Sequence, residues 1–170
     1  DRMAGLIIVI DDLDPSLRER ENLENQNQNF HYAKQATVVA AKAAGLHAID
    51  NAYLRLVRKD TLPEEAARIE EGLRQKNIEA ANLGMDGSWV IHPQQAEIVN
   101  ACYTPSDEQI AASKQAVEVY NELGGGSIVN PHSGEFEDEA TIKAKLMDLA
   151  KAAQAGKIDP DWVTEQAAKS

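Results

Sequence analysis

The chain has 170 residues, 43% apolar and only 5% aromatic, with 28 acids against 17 bases and a formal net charge of −11. A chain of this length can bury a real core, but its acidity argues against a nucleic-acid surface, which needs clustered lysine and arginine. No apolar run reaches the ~20 residues of a membrane span, and the single cysteine, Cys102, excludes a disulfide framework and fits a reducing cytoplasm.

The chain opens on Asp1-Arg2-Met3, without an initiator at position 1, and leads directly into an apolar run. It is therefore expected to be processed, trimmed, or the C-terminal part of something longer. No secretory signal is visible. The run Gly5-Leu6-Ile7-Ile8-Val9-Ile10 reads as a buried strand stopped by Asp11-Asp12. The polar, amide-rich stretch Glu19 to Asn29 reads as a loop. Residues 30 to 44 form an alanine-rich helix closed by Gly45. A second strand, Leu46 to Ile49, stops at Asp50-Asn51. Pro63-Glu64-Glu65 opens a helix running to residue 83, with proline and acids in its first turn.

A third strand, Ser88-Trp89-Val90-Ile91, stops at His92-Pro93, and a short helix follows over 94 to 101. Thr104-Pro105-Ser106-Asp107-Glu108 caps a longer helix ending at Leu123. Gly124-Gly125-Gly126 cannot be helix interior and reads as a hinge or tether. Beyond it lie a hairpin-like piece, a helix from about Asp138, and a polar tail anchored by Trp162.

The order β-α-β-α-β-α-α, with strands starting roughly 40 residues apart, matches part of a (β/α)8 barrel, whose sites sit at the C-terminal strand ends. Three strands cannot close a barrel of eight. The fold class expected is thus α/β: a fraction of a (β/α)8 TIM barrel over 1–123, its C-terminal part if the chain continues something longer, followed by a small helical lid over 124–170.

The chemistry-bearing residues lie at those ends. Asp11 and Asp12 suit a hard cation such as Mg²⁺, or a turn cap ahead of Asp14-Pro15. Asp50 suits a cap or a ligand contact. His92 is a site histidine or a structural one, with Pro93 at the first position of the next helix. The run Glu135, Glu137, Asp138, Glu139 reads as an acidic helix start or as a carboxylate delivered to a site elsewhere. His31, His47 and His132 show no metal-ligand spacing, and Cys102 reads as a structural thiol.

The segment "LGMDGSWVIHPQQAEIVNACYTPSDEQI" resembles the signature of the citrate lyase β-subunit and malyl-CoA lyase family, in which Gly-x-Asp/Glu-Gly-Lys-Trp-Ala-Ile-His-Pro precedes an Asn and a Ser-Pro or Thr-Pro. "NFHYAKQATVVAAKAAGLHAID", "GLIIVIDDL" and "GEFEDEATIKAKLMDLA" are similar to further segments of that family, in family order. The resemblance implies a Mg²⁺-dependent lyase that makes or breaks the C–C bond of a 3-hydroxy-dicarboxyl-CoA thioester such as malyl-CoA or citramalyl-CoA, through an acyl-CoA enolate. It implies that Asp12 holds the metal, that Asp138 acts on the α-carbon, and that Trp89, His92 and Pro93 shape the coenzyme A side with Asp50 behind them. It implies a trimer or hexamer whose lid serves a neighbouring subunit, with a second metal ligand and a substrate arginine upstream of residue 1.

Departures from the pattern are Ser88 in place of Lys, Asn51 in place of Gly, Gln94 in place of Ser, and a long Arg55 to Lys76 region. A malate synthase-like condensing enzyme, or a non-catalytic truncated relative acting as a structural or binding subunit, remains the alternative.

Overall fold

Each short apolar run finds its partner across a helical crossover, the connection that parallel strands require. In the computed structural model, which describes residues 3–9 and 30–170, strands β1 (Gly5–Ile7), β2 (His47–Asp50) and β3 (Gly87–Ser88) form one parallel sheet in the order β1-β2-β3. Gly5 pairs with His47, Ile7 with Ile49, and Asp50 with Ser88. The chain divides into two compact units, Asp1–Tyr103 and Thr104–Ser170. That division lies ahead of the glycine run on which the sequence reading places its boundary.

In the first unit, helix α1 (His31–Ala43) and helix α2 (Pro63–Asn82) cover one face of the sheet. Alanines make this close approach possible: Ala41, Ala48 and Ala80 are fully buried in a cluster with Ile8, Phe30 and Met85. Alternation along β1 is plain, since Ile8 is buried while Ile7 is 55% exposed. Gly45 ends α1 at φ 67°, a left-handed position that glycine tolerates. A second cluster joins Tyr53, Ile69, Leu73 and Val99, the last from helix α3 (Ala96–Tyr103).

Gly72 sits inside α2 for a packing reason. A Cβ there would meet the Tyr53 hydroxyl far inside contact distance. In an open helix Gly→Ala gains up to about 1 kcal/mol, whereas overpacking a buried contact costs about 1–3 kcal/mol. Gly72→Ala is therefore expected to lower the urea midpoint, and Tyr53→Phe on the same chain to restore much of it. A raised midpoint for Gly72→Ala alone would refute this account.

The third strand is shorter than its apolar run suggests. The Trp89 N–H still bonds Asp50 O at 3.0 Å, but the Ile91 N–H is taken by the Gln95 side chain at 3.1 Å, so the ladder stops. His92 therefore opens a short 3-10 turn, Pro93–Gln95, and does not end a strand. The first strand likewise spans three residues, not six.

The second unit holds helix α4 (Asp107–Glu122), the hairpin β4 (Ile128–Val129) with β5 (Phe136–Glu137), helix α5 (Glu139–Gln154) and helix α6 (Pro160–Ala167). Ser106 and Gln109 close a capping box on α4, and Asp138 with Thr141 closes one on α5. Ile110, Val117, Tyr120, Ile142, Leu149 and Val163 make its core. The glycine run lies inside this unit. All three residues have positive φ, and Gly125 and Gly126 donate to Tyr120 O and Oη at 3.0 and 3.1 Å, closing α4. The tail read as polar is in fact a helix. Asp159 caps it, Pro160 starts it, Val163 is buried, and Lys114 lies 4.5 Å over the Trp162 ring.

Candidate functional site

The C-terminal ends of β2 and β3 bring several of the expected residues together. Asp50 ends β2 with its side chain fully buried, and it meets two ammonium groups carried by the covering helices. Lys34 of α1 donates to Asp50 Oδ2 at 3.1 Å and Lys76 of α2 at 2.7 Å. Both lysines are as buried as the aspartate, at 2% and 0% exposure. Lys76 also donates to Asn51 O at 2.6 Å, which in turn accepts from Ser88 Oγ at 3.0 Å. Ionic groups this deep are held by mutual attraction and hydrogen bonds, since each alone would carry a desolvation cost of several kcal/mol. Tyr103 lies in the same field: burial, then the Asp50 charge, pushes its phenol far above the usual tyrosine range.

Sequence reasoning placed Asp50 at a strand end but missed Lys34 and Lys76. A lysine inside an amphipathic helix reads as solvent-facing, and only the two-sided convergence on one carboxylate reveals it as buried.

Around this anchor the strand-end turn is ordered by side-chain bonds. Trp89 is 50% exposed and Ile91 is 44% exposed, so both present apolar surface. His92 is exposed, and its Nδ1 accepts from the Gln94 N–H at 3.2 Å, which leaves the neutral ring's proton on Nε2. Pro93 fixes the first position of the turn. Gln95, 2% exposed and missed at the sequence level, donates from Nε2 to Tyr53 O at 2.8 Å and Arg55 O at 3.3 Å. Gln94 adds a bond to Val57 O at 3.1 Å. The turn after β3 thus holds the loop after β2.

Asp138 belongs to the second unit. It is half-buried, and its Oδ1 accepts the Thr141 N–H at 2.9 Å as the N-cap of α5. Beside it, Glu137 is 1% exposed, accepts from Thr141 Oγ1 at 2.8 Å, and pairs with Lys145 at 3.0 Å. Burial alone would lower the Lys145 pKa, but the Glu137 hydrogen bond and charge outweigh it and the value is raised.

Asp12, expected as the metal ligand, lies outside the described residues. Among the described residues, no group of three histidine, cysteine or carboxylate side chains could hold a metal ion, and no helix is long and apolar enough to cross a membrane. Cys102 is half-buried, its thiol donating to Arg74 O at 3.6 Å, and burial raises its pKa, as a structural thiol requires.

No family model matches the chain. It is 32% identical over 134 residues to the mitochondrial citramalyl-CoA lyase of Mus musculus, covering 77% of this chain and 33% of that protein. It is 30% identical over 126 residues to the L-malyl-CoA/beta-methylmalyl-CoA lyase of Cereibacter sphaeroides, covering 72% and 36%. Among solved structures it is similar to the protein CitE of Mycobacterium tuberculosis, in complex with magnesium, acetoacetate and coenzyme A. There the TM-score is 0.57 at 24% identity, over 75% of this chain and 42% of that one, a likeness of α/β fold. The chain spans about a third to a half of the length of the curated relatives it matches, a citrate lyase subunit beta among them.

Proposed function

The chain belongs to the citrate lyase β-subunit and malyl-CoA lyase family, and from that premise we propose that it is the C-terminal portion of an acyl-CoA lyase built on a (β/α)8 barrel. The observation that carries the reading is the similarity to the citramalyl-CoA lyase over 134 residues, which falls on a chain whose parallel strands end at Asp50 and Ser88 beside an exposed Trp89. The sheet supports the barrel. Parallel strands are ordinarily buried on both faces, and the Ile7 side of β1 is open among the described residues.

In this reading the reaction breaks or forms the C–C bond of a 3-hydroxy-dicarboxyl-CoA thioester, malyl-CoA or citramalyl-CoA, through the enolate of the acyl-CoA. Mg²⁺ would be held by Asp12 together with a carboxylate from the rest of the protein, the one or two carboxylates such an ion ordinarily takes. When bound, such an ion stabilises charge developing on the substrate's oxygens. Asp138 moves the proton at the α-carbon, a role worth typically ~10²–10⁴-fold. Trp89, His92 and Pro93 wall the coenzyme A side, and Asp50 stands behind them as the buried anchor. The unit carrying Asp138 acts as a cover, donated to a neighbouring subunit in a trimer or hexamer of the cytoplasm.

The test is product analysis with the full-length protein. Malyl-CoA should give acetyl-CoA and glyoxylate, dependent on Mg²⁺. Asp12→Ala should abolish turnover and weaken Mg²⁺ binding measured calorimetrically. Release of free CoA would instead mark a malate synthase-like, hydrolysing enzyme, and absence of any product from either thioester would make the chain part of a binding subunit.

A further inference from the structure

The loop between β2 and α2 and the first turns of α2 border an open recess of about 490 Å³ lined by Leu54, Arg55, Arg58, Asp60, Glu65 and Ile69. Its two arginines are exposed, and among the described residues their guanidinium groups make no ion pair or hydrogen bond. Their donors are therefore free to meet a ligand. The backbone carrying them is held in place. Gln95 and Gln94 bond Tyr53, Arg55 and Val57 carbonyls. The Arg58 N–H donates to Thr61 Oγ1 at 2.8 Å while the Thr61 N–H returns to Arg58 O at 3.1 Å. The recess is thus preorganised on the loop that leaves the C-terminal end of β2.

We infer that this recess binds the phosphate-bearing nucleoside end of a ligand. A guanidinium presents a planar fork of donors that matches phosphate oxygens two at a time. Asp60 and Glu65 would oppose a bare anion, but their oxygens accept from ribose hydroxyls and from a base's amino group. Leu54 and Ile69 supply apolar wall for the base. Such a mixed lining suits a nucleotide better than inorganic phosphate. The inference rests on the proposed substrate class insofar as coenzyme A ends in a phosphorylated adenosine.

Calorimetric titration of the purified protein with adenosine 3′,5′-bisphosphate tests it, with adenosine and inorganic phosphate run alongside. The bisphosphate should bind, more weakly as salt rises, and both controls at least tenfold more weakly. Arg55→Met with Arg58→Met should weaken the bisphosphate at least tenfold at an unchanged melting temperature, both side chains being exposed, and the paired lysine variant should recover part. No binding by the wild type, unchanged binding by the double methionine variant, or phosphate binding as tightly as the bisphosphate would overturn the inference. Arginine-dependent bisphosphate binding without thioester cleavage would sustain it while removing the lyase reading. Thioester cleavage with the same KM in the double methionine variant would do the reverse.

Discussion

Asp50→Asn is expected to destabilise the chain by about 3–5 kcal/mol, the range for removing one partner of a buried ion pair. The substitution preserves shape and leaves charge behind. Lys34 is 2% exposed, and among the described residues Asp50 is its only counter-charge. Without the carboxylate its ammonium stays in an apolar layer between α1 and the sheet, and it must deprotonate or drag water inward. Lys76 loses its 2.7 Å partner but keeps Asn51 O at 2.6 Å, so Lys34 dominates the loss. Urea denaturation should show the drop, and Lys34→Met added to Asp50→Asn should recover part of it by removing the orphaned charge. A loss below about 1 kcal/mol for Asp50→Asn, typical of exposed pairs, would show that the cluster is solvated.

The second large effect separates two roles of one carboxylate. Asp138 caps α5, and replacing a cap by alanine costs about 0.5–2 kcal/mol, whereas serine caps about as well as aspartate. If Asp138 also moves the substrate's proton, Asp138→Ser should keep the melting temperature and still lower kcat by ~10²–10⁴-fold, because a hydroxyl is no base at neutral pH. Asp138→Ala should lose both. Assays of malyl-CoA cleavage beside thermal melts decide it: a serine variant with wild-type kcat would leave Asp138 a cap and nothing more.

How legible these features are from sequence follows from the range of the physics behind them. Helix ends depend on local chemistry, and they read well: Pro63 at the start of α2, the Ser106 cap before α4 and Gly45 after α1 fall where side-chain and backbone rules put them. Asp159-Pro160 carries the same signal, and the composition of the tail obscured it. Strand lengths read less well, because an apolar run does not know where its partner stops. Trp89 to Ile91 look like strand until Gln95, four residues on, takes the backbone donor of Ile91. The anchor at Asp50 was half legible. Its place after Ile49 is a matter of pattern, but Lys34 and Lys76 approach from 16 and 26 residues away, and no local rule links them. Asp12 stays beyond comparison, outside the described residues.

The register of the parallel sheet bears on how quickly the chain finds its structure. Gly5 meets His47, and Ile49 meets Gly87, so each ladder closes a loop of roughly 40 residues before any bond forms. In the second unit Val129 meets Phe136 across the short loop 130–135, and α5 follows at once. Local pairings form on microsecond timescales, whereas structures dominated by distant ones are slower by orders of magnitude. Stopped-flow refolding should therefore resolve two phases, the Trp162 signal recovering first and the Trp89 signal later. During translation the slower unit leaves the ribosome first, with its apolar strands waiting on partners not yet made.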